Sequence, residues 1–200
     1  TGSFNPTPNG AYKENNNLVV IQSRFLVENY AAKFRDIKNG KKSRVLHPKI
    51  LLNGFLVENY FCPEDSCESH VLETLQTAKN SIYFMTFSFT SDKIGDFLVD
   101  NRDRLEIRGV VEKSQINSYA EFHKFNASNM NVLLDKNPSN MHHKVFIIDN
   151  QTVITGSYNP TAGGNQKNRE NFLILHHPGV ARLFLEEFER IYEVSVDEKR

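Results

Sequence analysis

The amino-acid sequence predicts an α/β fold in which a mixed, largely buried β-sheet is flanked by helices. Short apolar runs alternate with segments whose apolar residues recur at helical spacing, and this alternation is typical of layered α/β folds. With 200 residues the chain is long enough to bury a sizeable core, so we expect one complete domain with additional residues.

The strands are predicted from the apolar runs, which in chain order are FLVENYF (55–61), SIYFMTF (81–87), LEIRGVV (105–111), NVLLD (131–135), HHKVFIID (142–149), TVIT (152–155) and NFLIL (171–175). Helices are predicted between them. One begins near Asp65 and Glu68, which resemble a capping pair, and another is capped by Ser91 and runs to Asp100. A further helix covers INSYAEFHKF (116–125), and a closing helix carries the stripe Val180, Leu183, Phe184, Phe188 and Ile191.

A repeat divides the chain. The segment TGSFNPT (1–7) matches TGSYNPT (155–161) at an offset of 154 residues (155 minus 1), and the match continues without a gap as LVVI (18–21) falls on FLIL (172–175). Self-similarity at a fixed offset predicts two copies of one unit. We therefore expect residues 1–38 to be the C-terminal tail of a first repeat, called the tail segment below. Residues 50–200 are then a complete second domain, called the second unit.

The first copy lacks the strand that would precede its glycine-serine turn, so we expect an upstream half in a longer two-copy protein. Between the copies, IKNGKKSRVLHPK (37–49) combines an Asn-Gly turn signal with a basic run. Its residues 39–49 are predicted to be an exposed linker, with contact to phosphates as the alternative. The hexapeptide FLVENY occurs at 25–30, where the repeat predicts a helix, and at 55–60, where its setting predicts a strand.

Composition excludes some functions. Lys plus Arg equals Asp plus Glu at 24 each, so no global field attracts polyanions and any such binding is local. No apolar run is long enough for a membrane span, and no signal peptide is visible, which leaves the compartment unknown. Cys62 and Cys67 are either a local disulfide or two ordinary thiols, and no zinc-ligand spacing is found.

The most informative motif is His142-x-Lys144-x4-Asp149, followed by Gly156-Ser157-x-Asn159. Because strand side chains alternate between faces, His142 and Lys144 share one face while His143 points away. Asp149 has the opposite parity, so we expect it to have a structural role at the strand end.

These residue types suit attack on a phosphodiester without a metal or other cofactor. A neutral histidine can form a covalent phosphohistidine, while a second histidine protonates the leaving oxygen. Lys144 then stabilises the nonbridging oxygens, and Ser157 and Asn159 donate hydrogen bonds to them. Glu170, at the start of a buried strand, is predicted to hold one ring nitrogen of His142 and leave the other free.

The motif resembles that of the phospholipase D superfamily, His-x-Lys-x4-Asp-x6-Gly-Ser-x-Asn, at every position from His142 to Asn159. Further segments resemble the small bacterial endonucleases of that superfamily: YFCP (60–63), SFTSDKI (88–94), EKSQ (112–115), KVFIIDNQTVITGSYN (144–159) and RENFLIL (169–175). The resemblance implies a phospholipase D-like fold and an active site between two units related by a twofold axis. Each unit gives one histidine and one lysine, and the second unit is another chain or the missing upstream half. The first copy departs from the pattern, because Asn16 stands at the position of Glu170.

The sequence thus predicts a metal-independent phosphodiesterase with a phosphohistidine intermediate, acting as a nuclease on DNA or RNA. One alternative is a phospholipase D or phosphatidyltransferase acting on phospholipid. Another is a non-catalytic binding half of a two-repeat protein. The resemblance is compatible with an exported or periplasmic protein.

Overall fold

The structure is a computed structural model that describes residues 1–196. One mixed sheet runs through it, with the strand order β1-β2-β8-β7-β6-β3-β4-β5. Its strands are β1 (Lys49–Leu52), β2 (Phe55–Phe61), β3 (Ser81–Thr86), β4 (Glu106–Val111), β5 (Asn131–Leu134), β6 (Lys144–Ile148), β7 (Thr152–Gly156) and β8 (Asn171–His176). The strands β3, β4 and β5 pair in parallel, and the other neighbours pair antiparallel.

Helices cover both faces of this sheet. The α-helices are α1 (Pro8–Tyr12), α2 (Arg24–Lys38), α3 (Cys67–Leu75), α4 (Asp92–Asp100), α5 (Phe122–Ala127), α6 (Ala162–Gln166) and α7 (Pro178–Ser195). Helices α3, α4 and α5 pack on one face against a core that includes Phe84 and Phe146. On the other face α7 covers β3, β6 and β7, while Leu26 of α2 packs on β1, β2 and β8. The predicted α/β class with a buried mixed sheet is therefore confirmed.

Most predicted strands are found within a few residues of their expected bounds, but one strand was missed and two local predictions are wrong. The hairpin strand β1 was not predicted, although Asn53 and Gly54 form its turn with positive φ values of 50° and 86°. The helix expected over 116–125 begins only at Phe122. Asp65 does not cap α3, because its carboxylate accepts hydrogen bonds from the backbone N–H groups of Phe61 and Val45.

The two copies of FLVENY adopt the two predicted conformations, the first in α2 and the second in β2. In the helix, Leu26 and Asn29 lie three residues apart on the buried face; in the strand, neighbouring residues are buried on both faces of the sheet. The equivalent side chains of the two copies meet, since Asn29 Nδ2 donates to Asn59 Oδ1 over 3.0 Å. Tertiary packing thus decides the conformation of this hexapeptide.

The tail segment and the end of the second unit have matching local structure at the 154-residue offset. Ser3 N donates to Asn17 O over 3.0 Å, and Ser157 N donates to Asn171 O over 2.8 Å. Contacts between the two segments are also reciprocal: Thr155 Oγ1 donates to Asn17 Oδ1 over 3.0 Å, and Thr1 Oγ1 contacts Asn171 Oδ1. The two segments therefore face each other across an approximate local twofold axis.

The structure pairs Cys62 with Cys67 in a disulfide, which decides between the two alternatives that the sequence left open. The bond joins the residue after β2 to the first residue of α3, and both cysteines are buried. Across residues 1–196, no helix combines the length and apolar character that crossing a bilayer requires.

Candidate active site

The motif residues converge at one edge of the sheet, where β3 and β7 end and where β6 and β8 begin. Lys144 is the first residue of β6, Ser157 follows the last residue of β7, and Glu170 immediately precedes β8. Antiparallel pairing of β6, β7 and β8 brings these positions to the same edge. The tail segment closes this edge from the other side.

His142 is oriented by the tail segment. Its Nδ1 lies 3.0 Å from Ser3 O, and its backbone N donates to Asn15 O over 2.7 Å. Because a carbonyl oxygen can only accept, Nδ1 carries a proton, and the Nε2 of a neutral ring keeps its lone pair. Burial lowers the pKa of His142, and the charge of Lys144 lowers it further. Both effects favour the neutral form of the ring.

Lys144 is buried beside this ring, with 6% of its surface exposed. Its Nζ donates to His142 O over 2.9 Å and lies 4.9 Å from the centroid of the Phe87 ring. Burial lowers the pKa of Lys144 to about 7, while the charges of Glu170 and Glu14 oppose this effect. A buried amine of this kind gains charge when an anion binds next to it.

His143 points to the opposite side, as strand alternation predicts, and is 1% exposed. Its Nδ1 accepts from Asn17 Nδ2 over 3.0 Å, which leaves Nε2 to donate to Glu187 Oε1 over 3.3 Å. His143 thus links the tail segment to α7 and belongs to the packing rather than to the open site.

Glu170 does not hold a ring nitrogen of His142, which corrects the predicted contact. Its carboxylate instead accepts from Ser157 Oγ over 2.5 Å and from Asn168 Nδ2 over 3.0 Å. The reason is topological: Glu170 precedes β8, whose neighbour β7 leads directly to Ser157. The start of β6 faces the tail segment, so Ser3 O takes the ring nitrogen. The charge of Glu170 nevertheless acts on Lys144.

Ser157 and Asn159 lie at the same edge of the sheet, but they differ in whether a donor group is free to bind a phosphate. The Ser157 hydroxyl donates to Glu170 and accepts from Asn171 N over 3.1 Å, so a phosphate would have to displace the Glu170 contact. Asn159 Oδ1 accepts from Ser88 N over 3.2 Å, which leaves its Nδ2 as the donor group of that side chain. Their binding of phosphate stays a prediction.

Asp149 and Gly156 support the two strands of the motif. The Asp149 carboxylate accepts from the backbone N–H groups of Lys79, Asn80 and Ser81 over 2.8–2.9 Å. Burial raises the pKa of Asp149, but these hydrogen bonds lower it, and the net pKa lies below the ordinary value. At Gly156 a Cβ atom would lie 2.2 Å from Asn171 O, so only glycine allows this approach of β7 to β8.

Two residues of the site were not predicted from the sequence. Ser3 orients His142 through its carbonyl group, and Glu14 acts electrostatically on His142 and Lys144. The 154-residue repeat was the available signal, because it implies that the tail segment faces the end of the second unit. Within residues 1–196, no group of three or more His, Cys, Asp or Glu side chains is arranged to hold a metal ion.

The mixed sheet and the position of His142 and Lys144 at one edge agree with the phospholipase D-like fold that the motif predicts. Residues 71–192, more than half of the chain, match the family model described as "Cardiolipin synthase, PLD-like domain". The chain therefore belongs to the phospholipase D superfamily, a superfamily of phosphodiester hydrolases, as the motif predicted.

Several known proteins are similar to this chain. A phospholipase D from Rickettsia bellii is 29% identical over 65% of this chain and 66% of its own length. The human mitochondrial cardiolipin hydrolase is 36% identical over 64% of this chain and 52% of its own length. The chain thus spans between half and two thirds of these relatives.

Among solved structures, the phospholipase D family member Nuc from Salmonella typhimurium superposes with a TM-score of 0.66 at 31% identity. The match covers 72% of this chain and 98% of Nuc. NucT from Helicobacter pylori, at 20% identity and a TM-score of 0.60, shares the fold.

Proposed function

We propose that this protein is a metal-independent phosphodiesterase that cleaves nucleic acid through a phosphohistidine on His142. The observation that carries the proposal is the state of the His142 ring. Ser3 O fixes the proton on Nδ1, and the Lys144 amine donates to the backbone carbonyl of His142 itself. Nucleophile and cation are thus preorganised at one edge of the sheet.

The reaction has two steps. The lone pair of His142 Nε2 forms a bond to phosphorus, the bond from phosphorus to one ester oxygen breaks, and a second histidine protonates that leaving oxygen. Water then attacks phosphorus and gives a proton to the second histidine, and the bond between nitrogen and phosphorus breaks. The products are an alcohol, a phosphate monoester and free His142. Lys144 stabilises the nonbridging oxygens in both steps.

The second histidine requires a second unit, and the surface of α2 supports its presence. At the repeat offset, Phe34 corresponds to Phe188 of α7, yet Phe34 is 69% exposed whereas Phe188 is fully buried on its sheet. Ile37 is likewise exposed, whereas its equivalent Ile191 is buried. This face of α2 has the apolar character of a face that packs on a sheet. We infer that the sheet of a further, upstream unit of the same fold covers it.

The position of the tail segment favours an upstream unit over a second copy of this chain. Asn17 and Asn171 make reciprocal contacts with Thr155 and Thr1 across the local twofold axis. The tail segment therefore occupies the surface through which two second units would otherwise pair. In the proposed architecture, the second histidine comes from the further unit whose sheet covers α2.

Two observations support nucleic acid as the substrate. Nuc, the solved structure with 31% identity, is similar over nearly its whole length. Lys13 and Lys167 are equivalent at the repeat offset and exposed, and they follow α1 and α6 next to Glu14 and Asn168. They thus give two symmetric positions from which cations can contact a phosphate backbone.

Phospholipid is the second candidate substrate, because relatives named phospholipase D and mitochondrial cardiolipin hydrolase match this chain. A substrate panel separates the two. The protein is incubated with plasmid, single-stranded oligonucleotide, phosphatidylcholine vesicles and cardiolipin vesicles, all with chelator. We expect cleavage of nucleic acid. Cleavage of lipid alone would replace the nuclease proposal with the lipid alternative, and no cleavage by this chain together with the further unit would contradict both.

Matched variants identify the residues responsible. His142→Ala should abolish the activity that appears, whereas His123→Ala changes an exposed histidine on α5 and should preserve it. The need for a second unit is tested by gel filtration combined with phosphodiesterase assays of residues 1–200 at several concentrations. Full activity of a monomer of this length would contradict the two-unit proposal.

A further inference from the structure

The tail segment retains an acidic side chain at the site, but at a shifted position. At the 154-residue offset, Asn16 corresponds to Glu170 and Glu14 corresponds to Asn168. In the second unit, Asn168 Nδ2 donates to Glu170 Oε1 over 3.0 Å. The tail segment therefore carries the same two residue types in reversed order, although Asn16 Nδ2 donates to Gly10 O and not to Glu14.

The backbone holds Glu14 beside the motif. Asn15 N donates to Asn140 O over 3.0 Å, and His142 N donates to Asn15 O over 2.7 Å. Residues 14–16 thus run alongside residues 140–142, with an isolated parallel bridge between Asn15 and Met141. From this position Glu14 Oε1 accepts from Asn140 Nδ2 over 3.4 Å.

The second carboxylate oxygen, Glu14 Oε2, is buried and has no hydrogen-bond partner among residues 1–196. A buried carboxylate oxygen without a donor is unfavourable unless a positive charge compensates for it. The cations on which Glu14 acts are Lys144 and the protonated ring of His142. Burial lowers the pKa of both side chains, and the charge of Glu14 opposes that fall. Lys144 is thereby influenced by two carboxylates, Glu14 from the tail segment and Glu170 from the second unit.

We propose that Glu14 is a positioning residue whose buried carboxylate stabilises positive charge on His142 and Lys144 during the reaction. The inference rests on the proposed phosphodiesterase function. When the Nε2 lone pair forms the bond to phosphorus, the ring keeps its Nδ1 proton and becomes cationic. Ser3 O solvates that cation, and Glu14 balances its charge until water breaks the bond between nitrogen and phosphorus.

A titration that needs no catalysis tests this role. The pKa of His142 is measured by NMR in the 200-residue chain and in Glu14→Gln, with the resonance assigned through His142→Ala. Gln keeps the shape and the oxygen that accepts from Asn140, but it removes the charge. We expect the pKa of His142 to fall by about one unit in Glu14→Gln. Glu14→Asp, which keeps the charge, and the exposed control Glu193→Gln should retain the wild-type value.

An unchanged pKa of His142 in Glu14→Gln would overturn the inference. Thermal unfolding of each variant is recorded in parallel, and if Glu14→Gln does not fold, the same titration of Glu14→Ala decides. A second readout is the dependence of kcat/KM on pH. Loss of the Glu14 charge makes Lys144 lose its proton at lower pH, so the alkaline limb should move to lower pH and kcat should fall roughly tenfold.

The two proposals fail in different ways. If this chain together with the further unit cleaves no phosphodiester, the proposed function fails, while the NMR titration still decides whether Glu14 acts on His142. If the protein is active and Glu14→Gln keeps both the wild-type pH profile and the wild-type pKa of His142, only the role of Glu14 is rejected.

Discussion

Protonation of Lys144 should be coupled to binding of a phosphodiester. Burial lowers the pKa of Lys144 from its ordinary 10.5 to about 7, so above about pH 7 most of the free protein carries a neutral amine. A bound phosphodiester anion favours the charged amine and raises its pKa. Binding above about pH 7 therefore takes up a proton, and affinity should fall as pH rises.

The size of the effect follows from the burial of Lys144. A fall in pKa from 10.5 to about 7 corresponds to about 5 kcal/mol of lost stabilisation of the charged form. An adjacent anion can recover at most about this amount. Within that limit, linkage predicts a roughly tenfold loss of affinity for each pH unit above about 7, until the pKa of the complex is reached.

Dimethyl phosphate is a suitable ligand, because a diester carries one negative charge throughout this range. Its dissociation constant is measured by phosphorus NMR at several pH values above about 7. Burial lowers the pKa of His142 and of His143, so both rings stay neutral in this range. Lys144→Met should bind weakly and without dependence on pH. Affinity of the wild-type protein that is constant with pH, or an unchanged slope in Lys144→Met, would refute the reasoning.

Three further predictions concern stability. Asp149→Ala removes the acceptor of three backbone N–H groups and should lower the free energy of unfolding by about 3 kcal/mol. Urea denaturation measures this loss. An unchanged midpoint would mean that water replaces the carboxylate. Gly156→Ala places a Cβ 2.2 Å from Asn171 O and should destabilise the fold by about 3 kcal/mol. If the variant has the same Tm as the wild-type protein, β7 and β8 can move apart at little cost. Cys62→Ser with Cys67→Ser opens a short loop and should cost about 2 kcal/mol, and equal stability of the reduced and oxidised proteins would contradict this.

The strands were predictable because their signal is local. Runs such as SIYFMTF and HHKVFIID are apolar enough to require burial on both faces of a sheet, and they form β3 and β6. The hairpin strand β1 was missed although its Asn53-Gly54 turn is a recognisable signal. The helix predicted from Ile116 begins at Phe122 because the preceding residues form a turn, which the apolar pattern does not distinguish from a helix.

The convergence of the motif residues was predictable from their spacing, but their contact partners were not. His142 and His143 have different partners, as predicted, although both precede Lys144, the first residue of β6. The partner of the His142 ring is Ser3 O, a backbone carbonyl 139 residues away. Every residue has such a carbonyl, so the residue type does not indicate which one binds the ring. The prediction for Glu170 failed because a carboxylate contacts the nearest donor, and topology makes that donor Ser157.

The most direct test of the account is to trap the covalent intermediate on His142. The protein is mixed with a phosphodiester substrate in the presence of chelator, quenched at short times under alkaline conditions that preserve phosphohistidine, and digested for mass spectrometry. We expect the phosphoryl adduct on His142 in the wild-type protein and in His123→Ala. Turnover of substrate without any adduct on His142, or undiminished turnover by His142→Ala, would contradict the account.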